Sequence, residues 1–199
     1  MEKLNILVFA SHSGSNMQSI IDFAKKNDTN YEVKCLITNN SKAFVIERAK
    51  SENIPYFHLS NITHPDRQDF INAIKKIIDE YNINLIALAG YMKLLPTEII
   101  DYVNGRVLNI HPALLPKYGG DGMYGMNVHK AVIENKEKES GATVHLVNSE
   151  YDKGKILAQQ KINVEPYDTP ETLAEKVLFI EHKLYPETIH KISTGEILI

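Results

Sequence analysis

The sequence predicts an α/β protein with a doubly wound, mostly parallel sheet and an antiparallel hairpin near the C-terminus. Short apolar runs without alternation, such as residues 4–10 and 83–90, are typical of strands buried on both faces. Segments with apolar residues at helical spacing follow these runs, and such an alternation of strands and helices indicates a parallel sheet. Two further strand-like runs, residues 141–148 and 155–164, are joined by the short polar turn "SEYDKGK", which predicts a hairpin.

The same patterns place the remaining elements in chain order. Strands are predicted at residues 4–10, 31–38, 56–60, 83–90 and 105–111, and helices at residues 16–26, 43–53, 66–81, 127–135 and 169–192. Asp66 is predicted to cap the third helix, and Thr169 and Pro170 to begin the last one. This order of elements is Rossmann-like, and we expect residues 1–199 to form a single domain.

Composition excludes several classes of protein. The chain carries 22 Lys and Arg against 25 Asp and Glu, a net charge of −3, and it has no basic block, so a nucleic-acid partner is not expected. No apolar run approaches the roughly 20 residues of a membrane span. Cys35 is the single cysteine and cannot form an internal disulfide. We therefore expect a cytoplasmic protein without membrane contact.

Asn109 and His111 lie two positions apart at the end of a predicted strand that Pro112 terminates. Side chains at this spacing point the same way, and both can donate to an oxygen that gains negative charge. Asp152, in the hairpin turn, could orient His111 and raise its pKa. The residues alone favour the other interpretation, in which His111 is a buried, hydrogen-bonded histidine and Asp152 an ordinary turn residue.

The loop "SHSGSN" joins the first strand to the first helix, and it allows two interpretations. The N–H groups and dipole of the helix N-terminus suit a phosphate, whereas Ser15 with Gln18 could form a capping box that needs no ligand. Only Gly14 of a three-glycine dinucleotide fingerprint is present, which disfavours a nicotinamide cofactor. The eight histidines show no metal spacing, so no metal is assigned. The serines lack a G-x-S-x-G elbow, which disfavours a serine hydrolase.

Four segments together, "SHSGSN", "LAGYMKLLP", "LNIHPALLPKY" and "GATVHLVNSEYDKG", resemble the formyl-folate-utilising family, and in particular its glycinamide ribonucleotide formyltransferase branch. The resemblance runs along nearly the whole chain. Its most specific part is Asn-x-His-Pro-x-Leu-Leu-Pro followed about forty residues later by an aspartate in a turn. The tRNA-modifying and hydrolytic branches carry an additional domain, and 199 residues match the single-domain branch.

The resemblance implies roles for individual residues. The catalytic trio is matched by Asn109, His111 and Asp152. The loop that binds the substrate phosphate is matched by Gly14, Ser15 and Asn16, and the residue that contacts the substrate ribose by Glu181. The residues that match the folate pocket are Arg67, Met92, Lys93, Leu94, Leu95, Asn109, Asn148, Ser149, Glu150 and Tyr151.

The implied reaction is direct transfer of a formyl group from the co-substrate 10-formyltetrahydrofolate to the amine of glycinamide ribonucleotide, in de novo purine biosynthesis. The developing oxyanion is expected to be stabilised by Asn109 and His111, without a metal, and the protein is expected to be a monomer or a homodimer. Two alternatives stay open. One is a formyl-folate enzyme with another acceptor, such as a sugar amine or water, and the other is a non-catalytic phosphate-binding module.

The chain departs from the family pattern in two places. Residues 119–128 form a longer and more glycine-rich loop than in the commonest members, and no site residue is assigned there. Lys155 stands where a proline is common, and we expect this exchange to loosen the backbone beside Asp152.

Overall fold

The computed structural model describes residues 2–199 and contains a seven-stranded sheet with helices on both faces. The strands are Leu4–Phe9 (β1), Tyr31–Thr38 (β2), Tyr56–His58 (β3), Leu85–Leu88 (β4), Val107–His111 (β5), Glu139–Leu146 (β6) and Ile156–Asn163 (β7). They lie in the order β3-β2-β1-β4-β5-β6-β7. Strands β1 to β5 pair in parallel, and β6 and β7 extend the sheet in antiparallel fashion. The predicted fold class is confirmed.

Six helices connect or follow the strands in the described part of the chain. They are Ser15–Lys26 (α1), Val45–Ser51 (α2), Arg67–Glu80 (α3), Thr97–Tyr102 (α4), Met126–Glu134 (α5) and Pro170–Thr194 (α6). The predicted caps of α3 and α6 are confirmed, since Asp66 accepts from the Asp69 N–H and Thr169 from the Thr172 N–H. Helix α4 was not predicted, because six residues are too few to show a helical period. Among residues 2–199, no helix is both long and apolar enough to cross a membrane.

An apolar layer covers each face of the sheet. Side chains along β1 point alternately into one layer and the other. Ile6 and Val8 point into the layer built with α1, α2, α5 and α6, whereas Leu7 and Phe9 point into the layer built with α3 and α4. All four side chains are fully buried. A strand buried on both faces explains why its sequence shows no polar alternation.

The sheet reverses its strand order between β1 and β4. Sequential strands run outward from β1 to β3 on one side and from β4 to β5 on the other. In open parallel sheets, ligands bind beyond the carboxyl ends of the strands at such a switch point. Tyr185 of α6 reinforces this region, because its buried hydroxyl lies 3.1 Å from the Leu88 carbonyl oxygen and 3.2 Å from that of Leu108.

Tyr185→Phe tests how much the hydrogen bonds of the Tyr185 hydroxyl contribute to the stability of the fold. Loss of the hydroxyl leaves buried carbonyl oxygens with one donor fewer, so the free energy of unfolding should fall by about 1–2 kcal/mol. Urea denaturation measures the change. The control is Tyr56→Phe, because Tyr56 is 40% exposed and its loss of a hydroxyl should change stability by less than about 0.5 kcal/mol. Equal effects of the two substitutions on the free energy of unfolding would contradict a stabilising role of the Tyr185 hydroxyl.

Candidate active site

A cavity of about 400 Å³ lies at the switch point of the sheet. It collects side chains from segments that are far apart in sequence. The predicted site residues in its wall are Asn16, Met92, Lys93, Leu94, Leu95, Asn109, His111, Glu150, Tyr151, Asp152 and Glu181. The structure therefore brings the trio, most of the predicted folate segment and the predicted ribose contact to one space.

Five predicted site residues lie outside the wall of this cavity. Gly14 and Ser15 precede and begin α1, Asn148 and Ser149 belong to the hairpin turn, and Arg67 begins α3. The guanidinium of Arg67 forms a two-pronged ion pair with the Glu98 carboxylate at the exposed surface. The structure does not bring Arg67 to the cavity, and its proposed folate contact stays a prediction.

The carboxylate of Asp152 lies at the centre of the polar groups. Its Oδ2 accepts from the Gly120 N–H at 3.0 Å and lies 3.5 Å from Nδ1 of His111. Its Oδ1 lies 3.5 Å from both Nδ2 of Asn109 and Nε2 of His145. Burial raises the pKa of Asp152, but the contacts with His145, His111 and the Gly120 N–H outweigh burial and hold that pKa below its ordinary value. Asp152 is therefore ionised at neutral pH.

The ring of His111 is buried and its protonation pattern is set by one backbone oxygen. Nε2 lies 2.7 Å from the Tyr118 carbonyl oxygen, which can only accept, so Nε2 carries a proton. The other nitrogen, Nδ1, faces Asp152 and is the position at which a second proton is gained or lost. Burial lowers the pKa of His111 and outweighs the opposing charge of Asp152 and bond to Tyr118, so the net pKa lies below its ordinary value and the rise expected from the sequence is not found. Protonation of Nδ1 therefore depends on the negative charge of Asp152.

His145 belongs to the same cluster, and sequence reasoning did not select it. The antiparallel register places it directly opposite Asn109, and its Nε2 lies 3.0 Å from Nδ2 of Asn109. Nδ1 donates to the Leu146 carbonyl oxygen at 2.8 Å, and Nε2 lies between the Asn109 amide and Oδ1 of Asp152. His145 thereby orients Asn109. The alternation along β6 could have placed it on one face, but only the strand register shows which residue it meets.

The glycine-rich loop also contributes to the cluster through backbone atoms. The Tyr118 carbonyl and the Gly120 N–H are the partners of His111 and Asp152. A Cβ on Gly119 would lie 2.5 Å from a methyl carbon of Leu115 and 3.0 Å from Cβ of Asp152, so a larger residue here would displace these side chains. The side chains of Met123 and Tyr124, further along the loop, line the cavity.

The hairpin backbone beside Asp152 keeps its strand pairing despite Lys155. The Leu146 N–H donates to the Lys155 carbonyl oxygen at 2.9 Å. Gly154 allows this close approach, since a Cβ there would lie 1.6 Å from the Leu146 oxygen. Asp152 itself adopts φ +55°, a left-handed conformation that aspartate tolerates better than most residues.

The capping-box interpretation of the "SHSGSN" loop is wrong. Gly14, at φ +71°, is the N-cap of α1, and no side chain caps the helix. Ser15 is already helical, and the Gln18 side chain instead contacts Asp22 and Glu52. A Cβ on Gly14 would lie 2.3 Å from a methyl carbon of Val45, so α2 packs directly on the loop. The first N–H groups of α1 are thus left without a side-chain cap.

Glu181 is a buried carboxyl group in the cavity wall. It is 8% exposed, and Nδ2 of Asn16 donates to its Oε2 at 2.6 Å. Burial raises the pKa of Glu181 from 4.5 to about 7, and the bond from Asn16 offsets only part of this rise. Near neutral pH the group is therefore poised between its charged and neutral forms.

The predicted folate segment, residues 92–95, forms another wall of the cavity. Ser11 holds its start, since the Met92 N–H donates to the Ser11 hydroxyl at 3.0 Å. Leu88, Leu95 and Val147 supply apolar surface around this segment. No cluster of three or more His, Cys, Asp or Glu side chains arranged to hold a metal occurs among residues 2–199.

Comparisons with known proteins agree with this architecture. A model of the formyl transferase family matches residues 4–189. The chloroplastic phosphoribosylglycinamide formyltransferase of Arabidopsis thaliana is 41% identical over 188 residues, covering 94% of this chain and 64% of that protein. Phosphoribosylglycinamide formyltransferase of Escherichia coli (strain K12) is 34% identical over 194 residues, covering 98% of this chain and 89% of that protein. The crystal structure of glycinamide ribonucleotide transformylase 1 from Symbiobacterium toebii matches with a TM-score of 0.91 and 32% identity, covering 99% and 91% of the two chains.

The chain therefore belongs to the formyl transferase family. Within that family, the particular relatives that it resembles are phosphoribosylglycinamide formyltransferases. It spans 64% of the length of the two chloroplastic relatives, from Arabidopsis thaliana and Vigna unguiculata.

Glu181→Gln tests the energetic cost of the buried carboxyl group. Because the folded-state pKa is raised from 4.5 to about 7, the folded protein binds the additional proton, and stability falls as pH rises through this window. The variant should therefore be more stable than the wild type by about 2–3 kcal/mol at pH 8, with little difference at pH 5. Urea denaturation at the two pH values measures this.

The matched control for this prediction is Glu187→Gln on the exposed face of the same helix. Its effect on the free energy of unfolding should stay within about 0.5 kcal/mol at both pH values. A Glu181→Gln effect that is the same at pH 5 and pH 8 would show that the carboxyl group titrates normally in the folded protein.

Proposed function

We propose that this protein transfers a formyl group from 10-formyltetrahydrofolate to the amine of glycinamide ribonucleotide, a step of purine biosynthesis. The observation that carries the proposal is the carboxylate of Asp152, which lies within 3.5 Å of Asn109, His111 and His145 in the cavity wall. Family membership supports the formyl chemistry, and the similarity to phosphoribosylglycinamide formyltransferases supports this acceptor.

The acceptor is proposed to bind along α1 and α6. The uncapped N-terminus of α1 at Gly14, Ser15 and Asn16 suits a phosphate monoester, because N–H donors and the helix dipole converge there. The Glu181 carboxylate, when ionised, can accept hydrogen bonds from the ribose hydroxyls. The cost of burying Glu181 would then be offset by the bonds that it makes to the sugar.

The formyl donor is proposed to bind against residues 92–95 and the hairpin turn. The apolar surface of Leu88, Leu95 and Val147 suits the faces of a flat heterocycle, and the backbone of residues 92–95 supplies donors and acceptors for its edge. Tyr151, 41% exposed, lies at the rim. The residues present therefore fit a formyl-folate, whose chemical contribution is the activated formyl group.

Asn109 is proposed to donate to the formyl oxygen as it gains negative charge. Its Nδ2 is held by His145 at 3.0 Å, whereas its contact with Asp152 at 3.5 Å is long for a hydrogen bond. One N–H can therefore turn to the substrate oxygen without losing a strong bond. Preorganised donors of this kind lower the barrier because they need no reorganisation during the reaction.

His111 and Asp152 are proposed to transfer the protons that the reaction requires. An α-amino group titrates near pH 8, so about a tenth of the acceptor amine is neutral at pH 7 and can attack without a strong base. Asp152 then collects the proton that the amine loses. His111 donates from Nδ1, its protonated form being favoured by Asp152, either to the developing oxyanion or to the departing folate nitrogen.

The test follows the loss of the formyl group from 10-formyltetrahydrofolate with and without glycinamide ribonucleotide. The wild type should transfer the group only when the acceptor is present. His111→Ala should lower turnover by about 100-fold or more, because it removes a hydrogen-bond and proton donor from the site, while circular dichroism and the thermal midpoint show that the fold persists.

Two results would contradict the proposal. Loss of the formyl group at the same rate without acceptor would indicate a hydrolase. Absence of turnover in the wild type, together with equal affinities of the wild type and His111→Ala for the ribonucleotide, would indicate a binding module. His190→Ala serves as the control for His111→Ala, since His190 packs against Phe23 outside the cavity and should leave turnover unchanged.

A further inference from the structure

A third histidine, His129, lies in the wall of the same cavity and has no role in the reaction described above. It is the fourth residue of α5, between the buried Val128 and Val132 that anchor the helix in the core. The side chain is only 4% exposed. Its ring is therefore held in place by the fold.

The hydrogen bonding of His129 differs from that of the other two histidines in the site. His111 is bound to Tyr118 and His145 to both Leu146 and Asn109. By contrast, the buried Nδ1 of His129 has no hydrogen-bond partner among residues 2–199. Burying a polar ring nitrogen without a partner costs stability, and His129 is the histidine with such a nitrogen that also lines the cavity.

The charge state of His129 restricts what it can bind. Burial, together with the charge of the neighbouring His111, lowers the pKa of His129 to about 4. The ring is therefore neutral in the physiological range, with one donor and one acceptor. Such a group does not suit a phosphate, which prefers cations, but it does suit an uncharged amide.

The location of His129 indicates which amide group of the substrates it can bind. His129 lines the same cavity as Asn109 and His111, the reacting end of the site. Its helix, α5, packs against α6, which carries Glu181, the proposed ribose contact. In glycinamide ribonucleotide, one amide group separates the ribose from the reacting amine.

We propose, on the basis of the function proposed above, that His129 binds the glycinamide amide of the acceptor and so places its amine beside Asn109 and His111. The hydrogen bond to the amide is made by Nε2, the ring nitrogen that is not fully buried. Losing it weakens binding of the ribonucleotide and misplaces the amine, and small displacements of a reacting group reduce turnover. Binding of the formyl donor does not involve this residue.

The experiment compares His129→Leu with His129→Asn in steady-state kinetics. His129→Leu should raise the KM for glycinamide ribonucleotide by about tenfold or more and lower kcat, with the KM for 10-formyltetrahydrofolate unchanged. His129→Asn retains a donor and an acceptor and should restore part of the loss. His190→Leu is the matched control, because its Nδ1 also lacks a partner among residues 2–199 but lies outside the cavity, and its kinetics should equal those of the wild type.

Stability separates a binding role from a packing role. Leucine removes an unpaired buried polar group, so His129→Leu should unfold at the same or a higher urea concentration than the wild type even though it binds the ribonucleotide less well. An unchanged KM for the ribonucleotide would overturn the proposal, and so would an equal rise in the KM for both substrates.

A second measurement covers the case in which the leucine variant does not fold. The ring ¹⁵N resonances of His129 in the wild type should shift when glycinamide ribonucleotide is added and should not shift with 10-formyltetrahydrofolate alone. Resonances unaffected by the ribonucleotide would overturn the proposal. A wild type that transfers no formyl group to the ribonucleotide would instead refute the proposed function itself, which distinguishes the two failures.

Discussion

The structure of the site depends on one buried carboxylate. Asp152 lies in a hairpin turn in a left-handed conformation, and its two oxygens contact Asn109, His111, His145 and the Gly120 N–H. A charge is stable in such a place only if partners surround it. This requirement links three segments: the end of β5, the glycine-rich loop that soon follows it, and the antiparallel strand β6 with its turn.

Much of the fold, and part of the site, could be predicted from residue patterns. Buried parallel strands such as β1 have a distinct signature, and the strand period alone showed that Asn109 and His111 face one way. What they face could not be derived from spacing, because the approach of Asp152 depends on a hairpin folding back over the site. That juxtaposition was expected only from the resemblance to the formyl-folate family.

Some features of the site could not be predicted from the sequence, and the reasons are physical. The partners of His111 and Asp152 are a carbonyl and an N–H of the loop, and backbone atoms carry no residue-type signal. His145 acts through its register with Asn109, which is a tertiary property. The capping box was wrong because Gly14 caps α1 with its backbone in a left-handed conformation, which leaves Ser15 inside the helix. The site thus depends on geometry that local patterns do not encode.

Control of His111 protonation by the charge of Asp152 is tested most directly by ¹⁵N NMR titration of the His111 ring in the wild type and in Asp152→Asn. Asparagine keeps the size of the side chain and can still accept from the Gly120 N–H, but it removes the charge that opposes the effect of burial. The pKa of His111 should fall in the variant while Nε2 stays protonated against Tyr118. An unchanged pKa would show that Asp152 does not control the protonation of His111.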